Sequence, residues 1–360
     1  MINKLDLKGN ERAMAGKMVS TKKESCHGRI ITALALSLVV AFLISCAVGR
    51  YAIPLPLLVK IFLSKIIGLK ATWPETLETV LFSVRLPRIL AAMMVGGSLA
   101  LAGGTYQGLF KNPMVSPDIL GASAGAGFGA ALAILCSLNM VGIQIAAFVF
   151  GLAAVALTYL IGRAVGRGNN ALLVLVLTGM VVSTLFSSFI SMTKYVADPD
   201  NKLPAITFWL MGGLSTVGSK DVFKAFIPIL IGAVPLFLLR WRLNALSFGE
   251  EEAKALGINT ERIRLAVILC STLLTASSVA IGGMVGWVGL VIPHFSRMIV
   301  GPNYKTLLPV SLLIGSSFLL VVDDVARSVF AMEIPLGILT SIIGAPFFVY
   351  LLMKGRRGWT

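Results

Sequence analysis

Three arginines stand out as side chains that could bind carboxylates. Arg85 and Arg88 lie in the segment RLPRIL, and Arg327 lies three residues after the pair Asp323 and Asp324. A planar guanidinium can donate two parallel hydrogen bonds to one carboxylate. On the residues alone, the three arginines are candidates for pairing with carboxylates or for anchoring helix ends at lipid headgroups. Arg327 has the further option of pairing with Asp323 or Asp324.

Three carboxylates lie where a late apolar segment ends: Asp323, Asp324 and Glu333. Carboxylates inside a membrane are costly to bury, and in transporters they can relay protons. Because these three flank a short loop, we expect them to be solvated or paired with arginine instead.

An acidic segment, SFGEEEAKALGI (247–258), predicts a short helix outside the apolar segments. Glu250, Glu251 and Glu252 suit the positive N-terminus of a helix. Gly257 suits a helix stop. Two interpretations stay open on these residues alone, a solvated connector or a helix that docks a cytoplasmic protein.

The sequence does not contain the motifs of an enzyme or a nucleotide-binding protein. No segment matches the phosphate-binding pattern G-x-x-x-x-G-K-[ST]. His27 and His294 are the only histidines, and the four cysteines have no metal-ligand spacing. We therefore expect no catalytic residue, no metal and no cofactor bound by this chain.

The elements that carry these residues are predicted from composition and from recurring apolar segments. Of the 360 residues, 57% are hydrophobic and 13% are charged, and the mean hydropathy is +0.90. A soluble domain would carry roughly 25% charged residues, and about 20 apolar residues span a bilayer. The sequence predicts an all-α polytopic membrane protein with ten transmembrane helices, at 30–49, 87–105, 119–137, 141–162, 171–192, 222–240, 264–283, 284–300, 306–323 and 336–353.

Basic residues here predict topology and not nucleic-acid binding. The formal net charge is +15, and Lys and Arg concentrate on the cytoplasmic side of membrane proteins. A basic N-terminal tail (1–29), expected to be disordered, and a C-terminal tail (357–360) are predicted to be cytoplasmic. The transmembrane domain lies between them (30–356), with the loops 50–86 and 193–221 outside. Five spans in each half would make the halves run in opposite directions through the bilayer.

Five segments, in a fixed order, carry a family resemblance. They are RLPRIL, GGSLALAGGTYQGLFKNPMVSPDILGASAGAGFGA, SFGEEEAKALGI, GWVGLVIPHFSRMIVGP and DDVARSVFAMEIPLGILTSIIGAPFFVYLL. Together they resemble the permease family of binding-protein-dependent ABC importers for iron chelates (siderophores), haem and vitamin B12. The resemblance covers residues 30 to 356. It implies the type II ABC importer permease architecture, with two inverted five-helix halves, in a bacterial or archaeal cytoplasmic (inner) membrane.

The resemblance also implies partners. A second copy of the chain, or a close paralogue, would complete a dimer in the lipid bilayer. Two cytoplasmic ATPase subunits would use ATP-Mg, and an extracytoplasmic substrate-binding protein would deliver the cargo.

Site residues follow from the same resemblance. Arg85, Arg88 and Arg327 would dock the binding protein. Phe208 and Trp209, with Met211, would lie in a short helix at the mouth of the translocation path. The region 247–258 would couple to the ATPase through Gly249, Glu250, Glu251, Glu252, Ala253, Leu256 and Gly257.

The cargo is the least specific prediction. We expect an iron–siderophore complex, with haem or cobalamin as the close alternative within the family. A secondary transporter driven by protons or sodium is the competing class. That class predicts ionisable residues in the middle of the spans, where this sequence has almost none.

Overall fold

The computed structural model describes residues 27–49, 51, 53–68, 73–166, 171–329 and 332–355. Within these ranges the chain is helical and contains no strand. The first helix begins at His27, three residues before the predicted span. The rest of the predicted N-terminal tail, and the C-terminal tail at 357–360, lie outside the described residues.

Fifteen α-helices follow one another along the described residues. A π-helical turn, Thr79–Arg85, joins α3 to α4, and a 3₁₀ turn, Pro117–Leu120, precedes α5. The α-helices are α1 His27–Ala47, α2 Leu55–Ile67, α3 Glu75–Glu78, α4 Leu86–Leu109, α5 Ala122–Leu135, α6 Met140–Val165, α7 Ala171–Val196, α8 Lys202–Met211, α9 Ser219–Leu238, α10 Arg240–Phe248, α11 Glu250–Ala255, α12 Thr260–Gly282, α13 Val288–Val300, α14 Tyr304–Ser328 and α15 Leu336–Gly355.

Each of the ten predicted spans coincides with an apolar helix, which confirms the all-α membrane architecture. Seven helices of the described chain are long and apolar enough to cross a membrane: α1, α3 continued into α4, α6, α7, α9, α12 and α14. The remaining apolar helices are α5, α13 and α15. With 14 and 13 residues, α5 and α13 reach only about 20 Å, against a hydrocarbon core of about 30 Å. The predicted spans 119–137 and 284–300 are therefore shorter than expected.

Glycines explain why these two helices are short. Gly121, before α5, has a φ of +88°, and Gly283, after α12, has a φ of +68°. Both lie in the left-handed region, which residues with a Cβ adopt at a cost. Trp287, directly before α13, also has a positive φ of 70°. The break between α12 and α13 thus takes up residues that hydrophobicity alone assigns to a span.

The core lies between α4, α12 and α14, with α4 the most deeply buried helix. Backbones come close where glycines face each other, because no side chain separates them. A Cβ on Gly103 would overlap the carbonyl of Gly289 in α13, and a Cβ on Gly96 would overlap that of Gly315 in α14. Hydroxyls add cross-helix bonds, such as Thr105 Oγ1 to Ser271 Oγ at 2.9 Å.

The outer helices α1, α6, α7 and α9 expose most of their apolar side chains, as expected for lipid-facing helices.

The loop 50–86 contains α2, which packs against the core of the bundle. Its Leu58 and Ile61 are fully buried in the main core cluster. The end of the bundle that carries this loop is called the arginine end below, and the opposite end, which carries α11, the α11 end.

Candidate functional site

At the arginine end, Arg88 of α4 is paired with two carboxylates. Its Nε lies 3.0 Å from both carboxylate oxygens of Asp323 in α14, and its Nη2 lies 2.9 Å from Oδ1. Its Nη1 donates to Glu333 at 2.9 and 3.0 Å. Asp323 is fully buried, whereas the side chain of Glu333 is 37% exposed. One arginine therefore holds a buried and an accessible carboxylate.

Arg327 and Arg85 are tied to the end of α1. Arg327 donates to Asp324 and to the carbonyl and hydroxyl oxygens of Ser45, at 2.6 and 2.8 Å. Arg85 donates to the carbonyl of Cys46 at 2.8 Å and to that of Tyr51. Carbonyls at a helix C-terminus lack partners within the helix and favour a nearby positive charge. The two arginines thus cap α1 and fix it to α4 and α14.

These contacts bear on the predicted docking role. Arg85, Arg88 and Arg327 come together at one end, but they are only 4%, 8% and 6% exposed. The expectation that Asp323 and Glu333 would be solvated or arginine-paired is confirmed as pairing with Arg88. Docking of a binding protein stays a prediction. The sequence gives no signal for the α1 contacts, because their acceptors are mostly backbone carbonyls.

At the α11 end, the acidic segment forms the predicted short helix. Glu250–Ala255 is helical, with Gly249 before it, and Gly257 has a φ of +76° where the chain turns towards α12. Ala253 is fully buried. Glu250 forms an ion pair with Arg264 in the second turn of α12. The helix is therefore fixed to α12 by packing and by charge.

The outward face of the same segment combines apolar and acidic side chains. Phe248 is 79% exposed and Leu256 62% exposed. Between them, Glu251 and Glu252 are also exposed, and Glu251 forms an ion pair with Lys254 at 3.3 Å. Exposed apolar residues rimmed by exposed charged ones are typical of a protein-binding surface. Phe248, the last residue of α10, lies within the predicted region 247–258 but was not among the contact residues predicted there.

The predicted short helix between the long spans is α8. Asp198, before it, accepts hydrogen bonds from the side chain and backbone of Asn201, and these bonds hold the pKa of Asp198 below its ordinary value. Lys202, its first residue, donates to the carbonyl of Leu135 at the end of α5 at 2.5 Å. The helix is thereby fixed at its start.

The structure separates the three residues predicted at the mouth of the path. Phe208 and Trp209 line a groove with residues of α5, α6 and α12. Met211 lines another, with Met284, Gly286 and residues of α15. Trp209 and Met284 pack against the same buried cluster, so the two grooves adjoin.

Three helix ends meet beside these grooves. The amide of Gly213 donates to the carbonyl of Gly282 at 2.9 Å, and that of Leu336 to the carbonyl of Gly212 at 3.0 Å. A Cβ on Gly283 would lie 2.5 Å from the carbonyl of Trp209. The ends of α8 and α12 and the start of α15 therefore form a backbone junction without intervening side chains, which we call the glycine junction.

Hydroxyl side chains line one exposed face of α7, and sequence reasoning missed them. Thr184, Ser187, Ser188 and Ser191 recur at helical spacing and are exposed. Three donate to carbonyls four residues earlier, as Ser188 does to Thr184 at 3.0 Å. The spacing is readable in the sequence, but which face of α7 is exposed is not.

The arrangement is that of a membrane transport subunit. Short helices at the third place of each set of five apolar helices, α5 and α13, are typical of transporters built from two halves. The 3₁₀ turn that leads into α5 touches the start of α13, since a Cβ on Gly289 would overlap the ring of Pro117. The class is a polytopic permease.

Comparison with known proteins identifies the family. Residues 37–354 match the FecCD transport family, and the chain belongs to this family, as the permease subunit of an ABC importer. The chain is 43% identical to the molybdate import system permease protein MolB of Haemophilus influenzae, over 92% of this chain and 97% of that protein. It is 41% identical to a probable iron chelatin transport system permease protein of Helicobacter pylori, over 78% and 85%.

A solved structure agrees with these relatives. A metal-chelate type ABC transporter in an inward-facing conformation matches with a TM-score of 0.81 and 42% identity, over 91% of this chain and 99% of that chain. Other relatives are named as cobalamin, hemin and siderophore permeases. The predicted family is thus confirmed.

Proposed function

We propose that this chain works in a dimer of permeases with two ATPase subunits at the α11 end and a substrate-binding protein at the arginine end. The α11 end is then cytoplasmic, with both chain termini on that side. Support comes from the exposed acidic and apolar face of the segment 247–258 and from the arginine cluster at the opposite end. ATP hydrolysis belongs to the partner, because this chain has no phosphate-binding loop.

Helix α12 is the mechanical link in this proposal. Its second turn is bonded to α11 through Arg264 and Glu250. Its other end, Gly282, lies in the glycine junction, 18 residues beyond Arg264 and therefore about 27 Å away. A helix buried along most of its length moves as a rigid body. Displacement of α11 by the ATPase would therefore shift the glycine junction, next to the groove of Met211 and Met284, and change access to the path.

The translocation path runs in this proposal beside Met211 and Met284 and along the hydroxyl face of α7. Hydroxyls that already donate to their own helix still accept hydrogen bonds, from water or from a solute. They bind weakly and carry no charge. Such a lining suits passage of a solute whose specificity is set by the binding protein.

Docking is proposed to occur by exchange of carboxylates at Arg88. Glu333 is the accessible partner of Arg88, whereas Asp323 is inaccessible. A carboxylate of the binding protein could replace Glu333 without exposing the buried pair. Arg85 and Arg327 would then support the site by holding α1 in place.

For the cargo, we propose molybdate first and an iron–siderophore complex, the sequence-based prediction, second. The observation that carries this order is the relative named for molybdate, which aligns over 97% of its length at 43% identity. Haem and cobalamin follow, as the cargoes named in more distant relatives.

The test is uptake by cells that lack their own importers for these cargoes and express this chain together with its partner ATPase and binding protein. Molybdate uptake that stops when the ATPase carries a Lys→Ala substitution in its phosphate-binding loop would support the proposal. Uptake of ferric siderophore alone would reverse the order of cargoes. Uptake that persists with the disabled ATPase and follows a proton or sodium gradient would instead indicate a secondary transporter.

A further inference from the structure

A basic cavity opens between α6, α7 and α12 at the α11 end of the bundle. Its volume is about 280 Å³. Three arginines line it, Arg163 near the end of α6 and Arg262 and Arg264 at the start of α12, together with one acid, Glu261. None of these residues belongs to the arginine cluster at the opposite end (Arg85, Arg88 and Arg327) or to the proposed translocation path.

Two of the three arginines are free to bind an anion. Arg264 is paired with Glu250 of α11. Over the described parts of the chain, Arg163 and Arg262 form no ion pair, and both are exposed. The helices α7 and α12 begin at this cavity and α6 ends there, so two positive helix ends and one negative end add to the field of the guanidiniums. The cavity therefore attracts negative charge.

Behind the arginines the wall is apolar. The wall is formed by Tyr159, Leu175 and Leu265. Tyr159 lies one helical turn further into the bundle than Arg163 on α6, and Leu175 lies one turn inside the first residue of α7. Leu265 directly follows Arg264 in α12. Gly162 contributes no side chain, which lets α6 pack closely against Leu175, since a Cβ there would lie 2.9 Å from the Leu175 side chain. A basic rim above an apolar wall fits an amphipathic anion better than a free one.

The position favours a lipid over a protein. The cavity lies at the ends of α6 and α7, two outer helices that expose most of their apolar side chains to the bilayer. A headgroup phosphate at the level of helix ends meets arginines there, and its acyl chains continue along exposed residues such as Leu173 and Leu160.

We propose that this cavity binds the phosphate headgroup of an anionic phospholipid, held by Arg163 and Arg262. Because Arg264 lines the same cavity and pairs with Glu250, the bound lipid adjoins the helix that is proposed to contact the ATPase. The lipid site itself depends only on the membrane fold and not on the proposed cargo or partners.

The experiment is lipid titration of the purified full-length chain, followed by native mass spectrometry, with phosphatidylglycerol and phosphatidylcholine of identical acyl chains. The expected result is a preference for phosphatidylglycerol that falls about tenfold or more in Arg163→Gln/Arg262→Gln. Glu261→Gln should strengthen phosphatidylglycerol binding about threefold, because it removes a repelling carboxylate. This gain cannot arise from misfolding.

The matched control is Arg240→Gln/Lys305→Gln, which removes two exposed positive charges at the same end, outside the cavity. It should keep the preference, and the thermal unfolding midpoint should be alike in all variants. An equal loss in the control would overturn the proposal, because net charge alone would then explain binding. Unchanged lipid binding in the cavity variant, with loss of ATPase co-purification, would assign the surface to the protein partner. Binding of inorganic phosphate without any preference between the two lipids would also overturn the proposal.

Discussion

Arg88 of α4 and Asp323 of α14, 235 residues apart in the chain, form a buried pair in which Arg88 Nε lies 3.0 Å from both carboxylate oxygens. Two charges removed from water are tolerable only when each satisfies the other with good geometry. The pair therefore fixes two central helices of the permease to each other at the arginine end. Glu333, bound to the same guanidinium, remains accessible.

Asp323→Asn should destabilise the chain by about 3–5 kcal/mol, because it leaves the buried Arg88 without its main counter-charge. Glu333→Gln is the matched change on the accessible side and should cost about 1 kcal/mol or less. Unfolding of the detergent-solubilised protein in denaturant measures both. Equal losses would show that burial does not set the strength of these two contacts.

Glu333→Gln should strengthen the binding protein's affinity, since a competitor for Arg88 is removed, and the gain should shrink as salt is added. This variant is a cleaner test than Arg85→Glu with Arg88→Glu, which also breaks buried contacts and is expected to weaken docking. Glu78→Gln serves as control, because Glu78 pairs with Lys65 and not with the arginine cluster. Biolayer interferometry in nanodiscs gives the affinities. A gain of the same size in both variants would refute carboxylate exchange.

Glu251→Lys with Glu252→Lys should reduce co-purification of the ATPase, because both carboxylates lie on the exposed face of α11. Glu250 is kept, since its bond to Arg264 holds α11 on α12 and a change there would test stability instead. The control reverses two exposed acids at the opposite end, Glu75 and Asp200. A quantitative pull-down measures how much ATPase co-purifies with the α11 variant and with the control variant. Undiminished co-purification in the α11 variant would argue against the coupling role.

Gly103→Ala should prevent normal folding or destabilise the chain by about 1–3 kcal/mol or more, because its Cβ would overlap the carbonyl of Gly289. Gly104→Ala is the neighbouring control, since its Cβ would lie 3.6 Å from Pro293, at ordinary contact distance. Yield of monodisperse protein and its thermal midpoint report the difference. Similar behaviour of the two variants would show that the close approach of α4 and α13 is not required.

Much of the fold was predictable from the sequence, because a helix that spans a bilayer needs about 20 consecutive apolar residues, and such segments are visible in the sequence. The ten apolar helices, the short acidic helix at Glu250–Ala255 and the helix that contains Phe208 follow from local patterns. The family followed from the order of five motifs, and the comparisons confirm it. The inverted orientation of the two halves and the sidedness of the chain stay predictions.

Local patterns offered Arg327 its neighbours Asp323 and Asp324 as partners, but they could not give the partners of Arg85 and Arg88. The sequence by itself determined that Arg85, Arg88 and Arg327 lie near helix ends, and that α11 begins with three glutamates. Only the tertiary structure decided that Arg85 and Arg88 point inward, because the carbonyls that accept from Arg85 and the carboxylates that pair with Arg88 are far away in the chain. Sequence likewise placed Gly103 and Gly289 in separate spans. That their backbones touch depends on helix packing, which no single segment encodes.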